Sequence, residues 1–498
     1  MSAADSGLLV GSLLIVSACT LVYELLISAL SSYFLGSSVL HFSITIGLFL
    51  FFMGVGSFLS RFFHYDLLDR YVLIEILIGL IGGLSGVLLY AAYATTEHYY
   101  LVALLLIAGI SVLAGLEIPL VTRLLQDARG LRRSLSDVLA FDYLGALFAA
   151  LLFPLVLVPY VGLQRTAFAV GLVNLGVAGV LLARLSPRLG QAAPLRLLAV
   201  GVGVILALGL VYTSSLTRWF EQYLYQDEIV HVAQTPYQRI VLTQRKNDLR
   251  LFLNGSLQFS SIDEYRYHEP LVHLAAGAAR RLDEVLVLGG GDGLAVRELL
   301  RYPEVGRITV VDIDPAVTEL ASTHAMLRSL NAGALQDPRV SIVHQDAFEY
   351  LEGASTRYNL VVADLPDPST LDLGKLYTVT FYRLLQARLA ADGVFVTQAS
   401  SPFFARKAYW CIGATLGEVF DEVVPVQSYV PAFGLWGFHI ASQASLAFEA
   451  RPLPSDLRFA EAGYAGRARH LPPDVGPLDV DVNRLENQVL VQYYSTAN

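Results

Sequence analysis

Seven long apolar runs fill the first 213 residues and constrain the fold more than any other feature of the chain. They cover residues 8–30, 38–60, 71–94, 99–121, 139–162, 165–185 and 195–213. A bilayer core about 30 Å thick requires about 20 apolar residues per helix, so runs of this length suffice to cross a membrane. The runs therefore predict an integral, multi-pass helical bundle that is in contact with lipid.

The composition agrees with this interpretation. The 498 residues are 55% hydrophobic and 15% charged, with mean hydropathy +0.54, which excludes a purely soluble globular protein. The net charge of −9 lies in the second half, where 33 acidic residues outnumber 24 basic ones. Because this half has no Lys/Arg cluster, it is unsuited to nucleic acid and better suited to cationic substrates. The only cysteines, Cys19 and Cys411, provide neither a disulfide framework nor a metal-ligand spacing.

The arginines predict the orientation of the bundle. They cluster after the second, fourth and sixth runs, so the positive-inside rule places the N-terminus in the cytoplasm. Seven crossings would then place the C-terminal half on the outer side. A miscounted or broken span, for example at Glu117-Ile-Pro119, would reverse that side. The side of the C-terminal half therefore stays open.

Polar and small residues within the runs predict how the bundle is packed. Four acids should face its interior, because a charge in contact with lipid is costly: Glu24, Glu75, Glu117 and Asp142. They form either a polar cavity for a cation or proton, or structural pairs with partners such as Arg123 or tyrosines. Glycines at helical spacing in the third run predict close helix contacts: Gly79, Gly82, Gly83 and Gly86.

The pattern changes after Thr213. Alternating segments at 239–243 and 249–253, separated by Lys246-Asn-Asp248, predict a hairpin in a small antiparallel sheet. From Glu284 onward, apolar strands alternate with helical stretches, which is typical of a doubly wound, Rossmann-like α/β domain. The predicted divisions are a transmembrane bundle (1–215), a β-hairpin subdomain (216–282), a catalytic domain (283–442) and a C-terminal tail (443–498).

Acidic residues follow successive strands of the predicted parallel sheet. The run 286–293 is a buried strand entering a glycine turn, and its spacing departs from the dinucleotide pattern G-x-G-x-x-G. Asp292 in that turn would repel a pyrophosphate, so a nucleoside without phosphates is the better ligand. Asp312 is placed to accept ribose hydroxyls, and Asp346 to meet an adenine amino group. A single such Asp could merely cap a strand end, but three together favour a binding site.

The fourth strand delivers two further carboxylates, Asp364 and Asp367. Beside a nucleoside pocket they can hold a cationic polyamine, and one can accept the proton of an attacking amine. The alternative is an Asx-type turn stabilised by the Asp-Pro pair.

Together these residues resemble the spermidine synthases, or polyamine aminopropyltransferases, in their membrane-fused bacterial form. The resemblance covers roughly 228–442, and the bundle and the tail also look like extensions of that subgroup. The motifs are Tyr237-Gln238, Leu253-Asn-Gly-Ser-Leu-Gln258, Asp263-Glu-Tyr-Arg-Tyr-His-Glu269, Gly289-Gly-Gly-Asp-Gly293, Asp312, Gln345-Asp-Ala347 and Asp364-Leu-Pro-Asp367. The resemblance implies location in the bacterial inner membrane, and homodimers are usual in the family.

The resemblance also implies roles for individual residues. Decarboxylated S-adenosylmethionine, the co-substrate, would be held by Gln238, Gly289, Gly291, Asp312, Asp346 and Ala347. Asp292 would fix the amine of the transferred chain, and Asp364 would be the general base, helped by Tyr267. The acceptor polyamine would contact His268, Asp367, Gln258 and Phe433. No metal is required, because the sulfonium is already an excellent leaving group.

Some positions depart from the family pattern. Asn254 replaces an aspartate, and Phe433 replaces a tyrosine, which leaves the identity of the acceptor amine open. Two other functions remain as alternatives: an S-adenosylmethionine-dependent methyltransferase of the same fold, and a membrane polyamine transporter or sensor whose nucleoside-binding domain does not turn over its ligand.

Overall fold

The chain forms two compact units in a computed structural model, Met1–Gln226 and Asp227–Asn498. The structure describes residues 3–35, 38–96, 98–225, 227–448 and 451–497. The first unit is entirely helical in its described part, and the second combines two sheets with short helices.

Seven long helices build the first unit, and all seven are long and apolar enough to cross a membrane. They are α1 (Ala3–Leu35), α2 (Ser38–Leu59), α3 (Leu67–Thr95), α4 (Tyr99–Arg129), α5 (Leu131–Leu152), α6 (Leu163–Arg184) and α7 (Ala192–Tyr225). The predicted number of long apolar helices is confirmed.

Two helices differ in detail from their predicted runs. Helix α4 continues through Pro119 and is not broken at Glu117-Ile-Pro119, because neighbouring helices in a bundle compensate for the lost backbone donor. Helix α7 extends to Tyr225, well past the predicted end at 213, because no Pro or Gly between 214 and 225 stops it. A π-helical segment, Phe153–Val161, follows α5.

Glycine allows α3 and α6 to approach closely. A Cβ on Gly171 of α6 would lie 2.7 Å from the carbonyl oxygen of Gly79 on α3. Gly82 of α3 similarly leaves room for the ring of Tyr23, and Gly83 for Leu206. The predicted close helix contact is confirmed, as expected where small residues govern packing in lipid.

Replacement of Gly171 by valine should therefore destabilise the helical unit. The carbonyl of Gly79 is backbone and cannot rotate away, so α3 and α6 must separate, at a cost of about 1–3 kcal/mol. Thermal unfolding of the full chain in detergent checks this. Gly176→Val on the same helix is the matched control, because nothing lies within 4 Å of its Cβ position. Equal melting temperatures for the two variants would contradict the packing account.

Two sheets organise the second unit. The smaller is antiparallel with strands in sequence order: β1 (Glu228–Gln234), β2 (Arg239–Arg245), β3 (Asp248–Leu253) and β4 (Ser256–Ser260). The larger has the order β10-β11-β9-β8-β5-β6-β7. Its strands are β5 (Glu284–Gly289), β6 (Arg307–Asp312), β7 (Val340–His344), β8 (Tyr358–Asp364), β9 (Leu389–Gln398), β10 (Glu422–Val430) and β11 (Gly434–Ser442).

The order of the larger sheet creates the crevice for a site. Strands β5 to β9 are parallel, and β5 lies between β6 and β8, so the connections diverge on either side of it. Ligands bind at such a switch point, outside the carboxyl ends of the strands. The hairpin β10–β11 adds antiparallel strands next to β9. The predicted Rossmann-like fold with a small antiparallel sheet is confirmed.

Ten short helices accompany the sheets in the described part of this unit. They are α8 (Tyr265–Ala278), α9 (Leu294–Leu299), α10 (Pro315–Thr323), α11 (Ala325–Leu330), α12 (Ala347–Gly353), α13 (Leu371–Gly374), α14 (Val379–Arg388), α15 (Arg406–Gly417), α16 (Tyr464–Ala468) and α17 (Val489–Ser495). The last two belong to the tail, which completes the core on both faces of the sheet. Tyr464 packs into the cluster containing α8, and Leu490 into the one containing α14 and α15.

Candidate functional site

The glycine turn after β5 brings two strands together. Gly289 and Gly290 have positive φ angles of 75° and 63°, which favour glycine. The N–H of Gly290 donates to the carbonyl of Asp364 at the end of β8, at 3.1 Å. A Cβ on Gly289 would collide with that same carbonyl oxygen. The turn therefore places Asp364 directly beside the glycine loop.

The acids that follow β6 and β7 are held by local hydrogen bonds. Asp312 accepts the N–H of Gly291 at 3.0 Å and that of Asp314 at 2.9 Å. Burial raises the pKa of Asp312. Asp346 caps α12, as the structural interpretation of such acids expects, but its second oxygen pairs with Lys375 at 2.8 Å. Burial alone would raise the pKa of Asp346, and the Lys375 ammonium reverses this and lowers it.

Three other predicted residues have different surroundings. The Gln238 amide donates to Asp314 Oδ2 at 3.1 Å, beside the loop that contains Asp312. Ala347 is buried at the start of α12, next to Asp346. Gln258 donates to the carbonyl of Ser256 in its own strand at 3.0 Å, so its amide is not directed at the other predicted residues.

His268, Asp292 and Asp364 converge at the mouth of the crevice. One potential ligand atom from each lies within 4.8 Å of the others. The Tyr267 hydroxyl donates to Asp364 Oδ1 at 2.7 Å, and His268 Nε2 lies 3.8 Å from Asp364 Oδ2. Asp292 accepts the N–H of Leu294 at 2.9 Å. This concentration of carboxylates suits a cationic amine, and its ligand set could also hold a divalent ion.

The charges within this group are set by burial and by one supporting acid. Burial alone would lower the pKa of His268, but the hydrogen bond and charge of Glu264, at 3.0 Å, followed by the charge of Asp364, raise it to about 9. Burial raises the pKa of Asp292 to about 6. Burial and the charge of Asp364 raise the pKa of Tyr267. At neutral pH the group therefore contains an imidazolium and a neutral phenol.

Asp367 is held by residues from β9, the loop after it and the tail. Its Oδ1 accepts the Ser400 hydroxyl at 2.6 Å and the Gln398 amide at 3.3 Å, and its Oδ2 accepts the Tyr494 hydroxyl at 2.9 Å. Burial raises the pKa of Asp367. An Asx-type turn does not account for these side-chain bonds. Ser400 also has φ 62°, a left-handed conformation that is uncommon for serine and typical of functional sites.

An aromatic row connects Phe433 to the carboxylates. The Phe433 ring lies 5.0 Å from that of Trp436, which lies 6.4 Å from that of Tyr267. These ring contacts link Phe433 to Tyr267 through Trp436. Sequence reasoning missed Trp436, Lys375, Ser400 and Tyr494. Nothing in the sequence of the tail indicated that Tyr494 contacts Asp367.

Comparison with known proteins identifies the family. The model of the spermine/spermidine synthase domain matches residues 264–450. The polyamine aminopropyltransferase of Leptospira interrogans is 44% identical over 97% of both chains, and polyamine aminopropyltransferase 2 of Ralstonia nicotianae is 46% identical over 98% of both.

The chain belongs to the polyamine aminopropyltransferase family. A crystal structure of spermidine synthase in complex with the transition-state analogue AdoDATO is 25% identical, with a TM-score of 0.47 over 49% of this chain and 86% of that one. The matched synthase domain contains Tyr267, His268, Asp292, Asp364 and Asp367. The tail that holds Tyr494 lies beyond that domain.

Replacement of Glu264 by glutamine should lower the pKa of His268 from about 9 towards its ordinary value of about 6.5. Burial lowers the pKa of His268, and without the negative charge of Glu264 this effect would no longer be outweighed. In the wild type the raised pKa stabilises the fold below pH 6.5, and this contribution is lost as the pH rises through about 9. Histidine-selective NMR titration of the full chain measures the change.

His439 is the internal control for this titration, because burial lowers its pKa to about 3 and it should stay neutral in both proteins. An unchanged His268 titration in the variant would contradict the assigned role of Glu264.

Proposed function

We propose that the chain transfers the aminopropyl group of decarboxylated S-adenosylmethionine to a diamine such as putrescine. The products are a spermidine-type polyamine and methylthioadenosine. The observation that supports this most directly is the Asp364 carboxylate, fixed by Tyr267 and placed beside Asp292 and His268 at the glycine turn. The names of the relatives favour aminopropyl transfer over the methyltransferase and transporter alternatives.

The donor would occupy the crevice between the glycine turn and β6. The absence of a Cβ at Gly291 leaves room for the Asp312 carboxylate against the glycine turn, where Asp312 would accept the ribose hydroxyls. Gln238, Asp346 and Ala347 complete the proposed adenosyl pocket. Asp346 would have to share its carboxylate between Lys375 and the adenine amino group.

The amine end of the donor would be held by Asp292. With a pKa of about 6, this carboxylate is mostly ionised at neutral pH and can pair with the donor ammonium. The positive charge of His268 lowers the pKa of Asp292 against the larger effect of burial, and so favours its charged form. His268 is thus proposed to act on the Asp292 carboxylate as well as on the acceptor.

The acceptor diamine would lie between Asp364 and Asp367. Asp367 would bind its distant ammonium, and Asp364 would take a proton from the attacking nitrogen. That nitrogen forms a bond to the methylene carbon beside the sulfonium while the carbon–sulfur bond breaks. The electron pair goes to sulfur, so the leaving group is a neutral thioether. Tyr267 orients the base by donating to its other oxygen at 2.7 Å.

The helical unit is proposed to lie in the bacterial inner membrane as a multi-pass bundle, because its seven helices have the necessary length and apolar character. The polar partners of the protein would be the amine substrates. Homodimer formation is proposed by analogy with the family.

Asp364→Asn should reduce aminopropyl transfer by about 10²–10⁴-fold, because the amide cannot accept the proton. Mass spectrometry of methylthioadenosine and of the aminopropylated product measures this with putrescine, cadaverine, agmatine and spermidine as acceptors. Donor binding should be retained, since Asp292 and Asp312 are unchanged. Full activity in the variant, or no product from any acceptor with the wild type, would contradict the proposal.

Tyr494→Phe should raise the KM for the acceptor by about tenfold and leave kcat nearly unchanged, because Asp367 loses one hydrogen bond to its carboxylate. Steady-state kinetics with varied diamine gives both parameters. Tyr493→Phe is the matched control, because its hydroxyl donates to the exposed Asp481 at 3.0 Å. A loss confined to kcat, or equal effects of the two variants, would exclude this positioning role.

A further inference from the structure

Two carboxylates are buried in the helical unit, which is not the unit that carries the proposed reaction site. Glu75 on α3 is 0% exposed, and Glu117 on α4 is 4% exposed. Helix α4 packs against α3 on one side and against α5, which carries the half-buried Asp142, on another, so acidic side chains lie on three adjoining helices. Ionisable groups at such depth in an apolar bundle are costly and usually serve a function.

The described part of the bundle supplies no cation for this pair. The nearest candidate by sequence, Arg123 on α4, donates instead to the carbonyls of Ser60 and Phe63, at 2.7 and 2.9 Å. No lysine occurs among the first 213 residues. The structural alternative of a pair with Arg123 is therefore not what the structure shows, whereas a tyrosine, Tyr71 on α3, does form a side-chain hydrogen bond with Glu75.

The buried polar atoms without a hydrogen-bond partner around this pair are mainly acceptors. Asn174 on α6 donates to the Glu75 carbonyl at 2.7 Å and to its Oε2 at 3.1 Å. Among the described residues, Glu75 Oε1, Glu117 Oε1 and Asn174 Oδ1 are buried without a hydrogen-bond partner. The buried Tyr23 hydroxyl, which interacts electrostatically with Glu75, also has none. A ligand for this group must bring hydrogen-bond donors and positive charge.

We propose that Glu75, Glu117 and Asn174 form an amine site in the helical unit that binds the primary ammonium group of a diamine or polyamine. An ammonium has three N–H donors, no acceptor and one positive charge, which complements three acceptor oxygens and an excess of carboxylates. The choice of an amine over an inorganic cation rests on the proposed function, because the other unit acts on primary amines.

Equilibrium binding of radiolabelled putrescine to the full chain in lipid nanodiscs tests the site. The chain carries Asp364→Asn and Asp367→Asn to weaken binding at the proposed acceptor site. This background should still bind about one putrescine per chain, and adding Glu75→Gln or Glu117→Gln should weaken that binding by about tenfold or more, as expected for loss of a charge-assisted contact. Glu24→Gln, which changes a half-buried acid of α1, is the matched control and should bind like the background.

Thermal unfolding and monodisperse elution show whether each variant remains folded. If a glutamine variant does not, Asn174→Ala removes the neutral acceptor and should weaken binding to a similar degree. The proposal is overturned if the background binds no more putrescine than empty nanodiscs, if the glutamine variants bind like the background, or if Na⁺ displaces putrescine as effectively as unlabelled putrescine does.

Aminopropyl transfer by the wild type is measured separately. Putrescine binding without transfer would refute the proposed function and leave a cation site in the helical unit. Transfer without this binding would refute the helical site alone.

Discussion

The hydrogen bond from Gly290 N–H to the carbonyl of Asp364 is the contact on which the proposed reaction site depends. It joins the glycine turn to the strand end that presents Asp364, the proposed base. Gly289 must lack a side chain for the two strands to approach, so the proposed donor pocket and the proposed base are positioned by the same few backbone atoms. The site therefore follows from the pairing of β5 with β8.

Much of this arrangement could be predicted because it is local. An apolar strand followed by an acid predicts both the parallel sheet and the edge at which the carboxylates meet. Asp312 and Asp364 lie at such positions. The number of long helices in the first unit was also predictable, because each helix corresponds to one apolar run of sufficient length. Their ends were less so, because nothing in the sequence stops α7 at residue 213.

Several partners that tune the site could not be predicted, because they come from distant segments. Tyr494, for example, contacts Asp367 across 127 positions. Lys375 occupies one oxygen of Asp346, which the strand pattern alone assigned to adenine. Such contacts depend on how the tail and the loops pack, for which spacing gives no signal.

The most direct measurement determines which carbon atoms of the donor are transferred to the amine. The purified full chain would receive putrescine and decarboxylated S-adenosylmethionine carrying one ¹³C label in the S-methyl group and three in the aminopropyl chain. Mass spectrometry should find the aminopropyl label in the amine product and the methyl label in methylthioadenosine. A methyl label in the amine product would contradict the account and assign methyl transfer instead.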